Sequence, residues 1–229
     1  ENFKMDGAGE DMFFLSNGHI SPMFYSILAH RGYFPVAELA TFRRLGTRLQ
    51  GHPTTAEGLP GVRVASGSLG QGLSVAVGVA QAKKLANDNH LVYVLMGDGE
   101  QEEGQIWEAA MYAPAKNVDN IVAIVDYNKK QIDGPTDDVL SLGDLRAKYE
   151  SFGWKVWECN GNDMQELVDT FNKIRENAHK GQSQILLAHT EMGMGVDFMM
   201  GTHKWHGVAP NDEQAANALS QLKETLGDY

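Results

Sequence analysis

The chain has 229 residues, 42% of them hydrophobic and 21% charged, a composition that excludes general disorder. Nineteen Lys and Arg stand against 30 Asp and Glu, a net charge of −11 that makes nucleic acid a poor partner. A single cysteine, Cys159, rules out a disulfide framework or cysteine-based zinc site within the chain and fits a cytoplasmic protein. No apolar run approaches the roughly 18 residues of a membrane span, so no membrane partner is expected.

Residues 36–45, after Pro35, read as a short helix, and residues 62–65 as a weak strand. Residues 69–86 are small and apolar on nearly every side, through Val75, Ala76, Val77, Val79 and Ala80, which predicts a central buried helix. Residues 91–96 (LVYVLM) and 121–126 (IVAIVD) are continuous apolar runs, as strands covered on both faces require. A helix over 107–115 lies between them and ends near Pro114. Strands at 155–158 and 185–189 flank an amphipathic helix over 164–178, with Asp163 as N-cap and Gly181 past its end. Residues 212–226 read as a last, surface helix. No Ser/Pro-rich stretch, charge run or repeat divides the chain. The expectation is one α/β domain over 1–229, a doubly wound, mostly parallel sheet with helices on both faces.

In such sheets ligands bind beyond the carboxyl ends of the strands. Gly97-Asp98-Gly99 follows one apolar run, and Asp126-Tyr127-Asn128 follows the next. Asp and Asn oxygens, completed by water and phosphate oxygens, make a Mg²⁺ or Ca²⁺ site. Asp, Asn and Gly are equally at home in turns, so Gly97–Gly99 alone does not decide. Gly67-Ser68-Leu69-Gly70-Gln71-Gly72 is neither a dinucleotide fingerprint nor a P-loop, and its glycines can simply permit close packing. Of eight histidines, His19, His52, His203 and His206 lie in Gly-rich loops, where proton transfer or anion binding is possible. His30, His90, His179 and His189 read as structural. Glu100, Glu102, Glu103 and Glu108 read as a solvated acidic face, a proton relay or a subunit contact.

Six segments in order resemble transketolase: LSNGH (15–19), QGHP (50–53), GSLGQGLSVAVGVA (67–80), MGDGEQEEGQIWEAA (96–110), DYNKKQIDG (126–134) and GTHKWHG (201–207). The resemblance implies a thiamine-diphosphate fold. Asp98, Asn128 and the main-chain carbonyl of Lys130 would hold Mg²⁺ or Ca²⁺. Gly97 and Gly99 would form the turn against the diphosphate, with the Gly99 N–H directed at it. His19 and His203 would line the diphosphate and reacting centre, and His52 the donor sugar's hydroxyls. Gly67 would meet the aminopyrimidine, Leu69 and Ile132 would pack on the thiazolium, and Gln131 would stand at the entrance. Glu103 and Glu108 match acidic residues at the family's subunit interface.

The reaction implied is transfer of a two-carbon ketol unit between sugar phosphates, as in the pentose phosphate pathway, with the cofactor as electron sink. Ser68 replaces a common Pro, and Tyr127 replaces an acidic or Asn residue. The pyrimidine-binding domain and its activating Glu match nothing here, nor does the family's opening Ser-Gly-His-Pro-Gly segment. The resemblance therefore implies the N-terminal subunit of a split transketolase, with Gly227-Asp228-Tyr229 read as a genuine end. It would be inactive or nearly so without a C-terminal subunit, with which it would form a heterotetramer. The alternatives are half of a deoxyxylulose-phosphate synthase or keto-acid dehydrogenase, or a non-catalytic paralogue. The QGHP and GTHKWHG segments speak against the first two.

Overall fold

The computed structural model describes residues 3–222. The chain enters through β1 (Met12–Leu15) and α1 (Ser21–His30), then runs through α2 (Gln71–Leu85), β2 (Val92–Gly97), α3 (Gly104–Ala115) and β3 (Ile121–Tyr127). A short hairpin, β4 (Lys130–Gln131) with β5 (Gly134–Pro135), leads to α4 (Thr136–Leu140) and α5 (Leu145–Phe152). The chain then forms β6 (Lys155–Asn160), α6 (Met164–Glu176), β7 (Gln184–His189) and α7 (Asp212–Gln221). The main sheet has the order β1-β2-β3-β7-β6, and every neighbouring pair is parallel.

Both faces of the sheet are covered, which is why the central strands are apolar without alternation. On one face Leu73, Ala76 and Val77 of α2, Ile106 and Ala110 of α3, and Tyr149 of α5 join a core with Val94, Met96, Ala123 and Val125. On the other, Ile174 of α6 meets Val122, Leu186 and Cys159, while Phe24, Tyr25 and Leu28 of α1 cluster with Leu15. Each Val, Leu, Ile, Met or Phe among them contributes about 1.5–3 kcal/mol by burial, and each Ala about 0.8 kcal/mol. The expected doubly wound α/β architecture is therefore the observed one. No helix among the described residues is long and apolar enough to cross a membrane.

Several local expectations are corrected. Residues 62–65 form no strand; Val62 N–H bonds back to Leu59 and Ser66 N–H to Pro53, a looping path. The helix expected over 36–45 is a 3₁₀ segment, Val36–Thr41, with no buried residue to carry it further. Helix α2 is not buried on all sides, since Val75 and Leu85 are exposed. Helix α3 starts three residues early, at Gly104. The Asp163 cap is present, its carboxylate accepting from Gln165 and Glu166 N–H at 2.8 and 3.1 Å. Helix α7 ends at Gln221, with Leu222 extended, short of the expected span; residues 223–226 lie outside the described residues.

The segment before β1 is tied to the end of α2 by a buried lysine. Lys83 Nζ donates to Gly7 O and Glu10 O, both at 2.9 Å, and pairs with Asp88 at 2.7 Å. The Lys83 hydrogen bond, then those from His90, holds the Asp88 carboxyl well below its usual pKa. A depressed carboxyl contributes stability above the ordinary Asp range and loses it as the pH falls through and below that range. Asp88→Ala leaves the ammonium with two carbonyls and no counter-charge. The expected loss is about 3 kcal/mol, the low end for a broken buried pair. That lowers Tm by about 6–12 °C for a chain of this size. A thermal melt at pH 7 checks it, and the difference from the wild type should shrink toward pH 3.

Candidate active site

The carboxyl ends of β1, β2 and β3 open into a cleft of about 340 Å³. Its floor follows from strand register. Gly97 of β2 lies opposite Asp126 of β3, so Asp98 and Asn128 emerge side by side as the chains leave the sheet. Asp98 is 1% exposed. One of its carboxylate oxygens accepts from Gly99 N–H at 2.7 Å, and the other from Lys129 N–H. Asn128 Oδ1 accepts from Lys130 N–H at 2.9 Å. Lys129 C=O accepts from Thr136 N–H, so the next pair, Lys130 with Pro135, exchanges no ladder bonds. The Lys130 carbonyl thus points away from its hairpin partner. The turn after β2 is anchored from below: fully buried Gln101 donates to Gly97 O at 3.0 Å and accepts from Tyr149 OH of α5.

The cleft gathers most of the residues expected from sequence. His19, Leu69, Gly97, Asp98, Gly99 and Asn128 line it, as do Lys130, Gln131, Ile132 and Glu103. Gly99 fits against Gln131, since a Cβ on it would lie 2.9 Å from Gln131 Cβ. Its N–H is directed at the Asp98 carboxylate rather than left open. Gly67 and His52 stand together outside this lining, a Cβ on Gly67 falling 3.4 Å from the His52 ring. Glu108 lies on α3, in a separate groove with Ser74, Gly78 and Tyr112.

Of the two histidines in GTHKWHG, His206 and not His203 lines the cleft. The His206 ring centre is 5.2 Å from that of His19. Sequence spacing could not choose between two histidines three apart in a loop. Asn17, Glu100 and Trp205 also line the cleft without having been singled out as site residues; the only signal for Asn17 was its place next to Gly18-His19.

The cleft is acidic. Asp98, Glu100, Glu102, Glu103 and Asp126 line it, against Lys130, which is itself paired with Glu191 at 3.0 Å. Burial pushes the Asp98 carboxyl up to about 6. Partial desolvation, then the neighbouring His206 and His52, lower the pKa of His19; desolvation chiefly lowers that of His206. Both rings are thus neutral at pH 7 and able to donate or accept.

These residues fit a divalent cation bound together with a diphosphate. A buried carboxylate, an amide oxygen and a free carbonyl are hard oxygen donors. No group of three or more His, Cys, Asp or Glu among the described residues could hold a metal by itself, so the remaining ligands of such an ion would have to come from an anion or water. The buried Asn17 Oδ1 has no hydrogen-bond partner, a further polar atom at this wall.

Residues 4–227 match the family model described as the transketolase thiamine diphosphate binding domain. The chain is 41% identical to an apulose-4-phosphate transketolase subunit of Phocaeicola vulgatus, over 94% of this chain and 75% of that one. It is 37% identical to a 6-deoxy-6-sulfo-D-fructose transketolase subunit of a Clostridium species, over 93% and 77%. The solved transketolase of Campylobacter jejuni superposes with a TM-score of 0.87 at 30% identity, covering 96% of this chain and 35% of that chain. The chain therefore spans about a third of the length of that solved transketolase.

Proposed function

We propose that this chain, which belongs to the transketolase family through its thiamine diphosphate binding domain, is the diphosphate-holding subunit of a two-chain enzyme. Residues 1–229 would form that single domain, acting in the cytoplasm. The observation that carries the reading is the convergence of Asp98, Asn128 and the Lys130 carbonyl at two adjacent strand ends in one cleft. Asp98, Asn128 and the Lys130 carbonyl would hold Mg²⁺ or Ca²⁺ on the diphosphate. Held there, the ion would reverse the sign of an acidic cleft that otherwise repels the anion. Bound thiamine diphosphate supplies an electron sink for cleaving and forming the C–C bond beside a ketose carbonyl. Leu69 and Ile132 offer apolar walls to its ring. His19 and His206 hold and move protons at the substrate's oxygens, while His52 and His203 are not among the lining residues.

The partner would be a C-terminal transketolase subunit with the pyrimidine-binding domain, consistent with relatives named as subunits. Glu103 and Glu108, both exposed, are available for contacts in a heterotetramer. The substrates would be sugar phosphates exchanging a two-carbon unit, as in the pentose phosphate pathway.

Trp205 is the one tryptophan of four in the cleft. Titration with thiamine diphosphate should change its emission saturably with Mg²⁺ and not with EDTA. The partner chain, recovered by affinity capture from the source cell, should then support transfer from xylulose 5-phosphate and not from pyruvate. Turnover of pyruvate instead would make the chain half of another thiamine enzyme. A silent titration with partner and Mg²⁺ present would make it a non-catalytic paralogue.

A further inference from the structure

We infer that Glu100 is a positioning residue for the cofactor, its buried carboxylate holding together the three chain segments that wall the cleft. The residue is 2% exposed and borders the cleft from within the wall. One oxygen accepts from the Ser16 hydroxyl and from Gly70 N–H at 2.8 Å. The other accepts from Gly97 N–H at 3.1 Å. Ser16 Oγ in turn accepts from Gly72 N–H at 3.1 Å.

Each of these donors is the chain neighbour of a cleft residue. Ser16 precedes Asn17, Gly70 follows Leu69, and Gly97 precedes Asp98. Segments from the end of β1, the start of α2 and the end of β2 are 84, 30 and 3 residues from Glu100 in sequence. A single carboxylate fixes their relative positions. Helix α2 opens with Gly70 at φ +81° and no side-chain cap, so its first N–H groups need an acceptor from elsewhere. Glu100 and Ser16 supply it. A Cβ on Gly72 would collide with Ser16, and one on Gly70 would lie 2.9 Å from Glu103 Cβ, so this end of the helix is filled. The glycine-rich start of α2 is therefore no phosphate cradle. Its anion is internal, and the diphosphate is left to the metal, since the N–H groups of residues 97–99 are taken as well.

This role rests on the cleft holding thiamine diphosphate, and the test separates the two. In Glu100→Gln one oxygen can keep Ser16 and Gly70, while the amide nitrogen faces Gly97 N–H, donor against donor. Amide exchange on the full, cofactor-free chain should show protection lost at Gly97 alone, and at Gly97 and Gly70 in Glu100→Ala. The Kd for thiamine diphosphate with Mg²⁺, read from Trp205 emission, should rise about tenfold in Glu100→Gln, as for other residues that orient ligands from behind. A lower Tm with unchanged Kd well below the melt would reduce Glu100 to a structural residue. So would unchanged protection at Gly97. If Glu100 variants do not fold, Ser16→Ala keeps the carboxylate, should expose Gly72 to exchange, and should raise Kd about threefold on the same scale. An unaltered Kd there overturns the role. Wild-type binding with equally tight variants removes only this inference; no wild-type binding removes the cofactor reading and this role with it.

Discussion

Asp98→Ala is expected to raise the Kd for thiamine diphosphate, measured with Mg²⁺, by about 100-fold, equivalent to about 2.7 kcal/mol. The size follows from the charge balance of the cleft. Five carboxylates line it, and Lys130, its lining cation, is already paired. A diphosphate gains nothing here until a divalent ion enters, and Asp98 is the carboxylate placed beside Asn128 at the strand ends. Without it the ion keeps an amide and a carbonyl, two neutral donors, and loses its charged ligand. Binding without metal should be equally weak in wild type and variant. Folding should not be the cause of the loss, because burial already disfavours the ionised Asp98. The cofactor-free variant should melt no lower than the wild type by more than a few degrees. Calorimetric titration beside a thermal melt decides it. Unchanged affinity would remove the metal assignment, and a large fall in Tm would make Asp98 a folding residue first.

Much of this was legible in the sequence, for reasons that differ by element. β2, β3 and β7 announce themselves because a strand covered on both faces must be apolar throughout. The cleft floor was legible because Gly97-Asp98-Gly99 and Asn128 each follow such a run, and ligands gather at those ends. β1 was missed. Its four residues, Met12–Leu15, are too few to show a period, and they are a strand because β2 pairs with them. α5 was missed because only Leu145 and Tyr149 of its eight residues are buried, a spacing of four that a short polar segment hides. The strand expected at 62–65 failed the other way: Val62 is buried by the α1 cluster, without any strand neighbour. Glu100 looked like part of a solvated acidic run with Glu102 and Glu103. No sequence pattern distinguishes a carboxylate turned into the wall of the cleft from one turned out to solvent, since the difference lies in donors 84 and 30 residues away.

The two histidines of GTHKWHG separate on the same ground, and their exchange is the sharper catalytic test. His206→Ala should lower kcat of the assembled enzyme by about 100-fold, the usual scale for losing one positioned proton donor or acceptor. His203→Ala should cost far less, because its ring is outside the cleft lining. Affinity for thiamine diphosphate should change little in either, since neither ring belongs to the expected metal site. The pH profile gives an independent readout. Desolvation holds His206 and His19 below the ordinary histidine value, so their neutral forms persist into mildly acid solution. The acid limb of kcat/KM in the wild type should therefore lie below the ordinary histidine range. In His206→Ala that limb should shift toward higher pH, because His19 loses a neighbour whose charge depresses it. A larger loss from His203→Ala than from His206→Ala would return the proton-handling role to His203. An acid limb unmoved by His206→Ala would mean that the His19–His206 pair, 5.2 Å apart, is a packing contact and not a catalytic one.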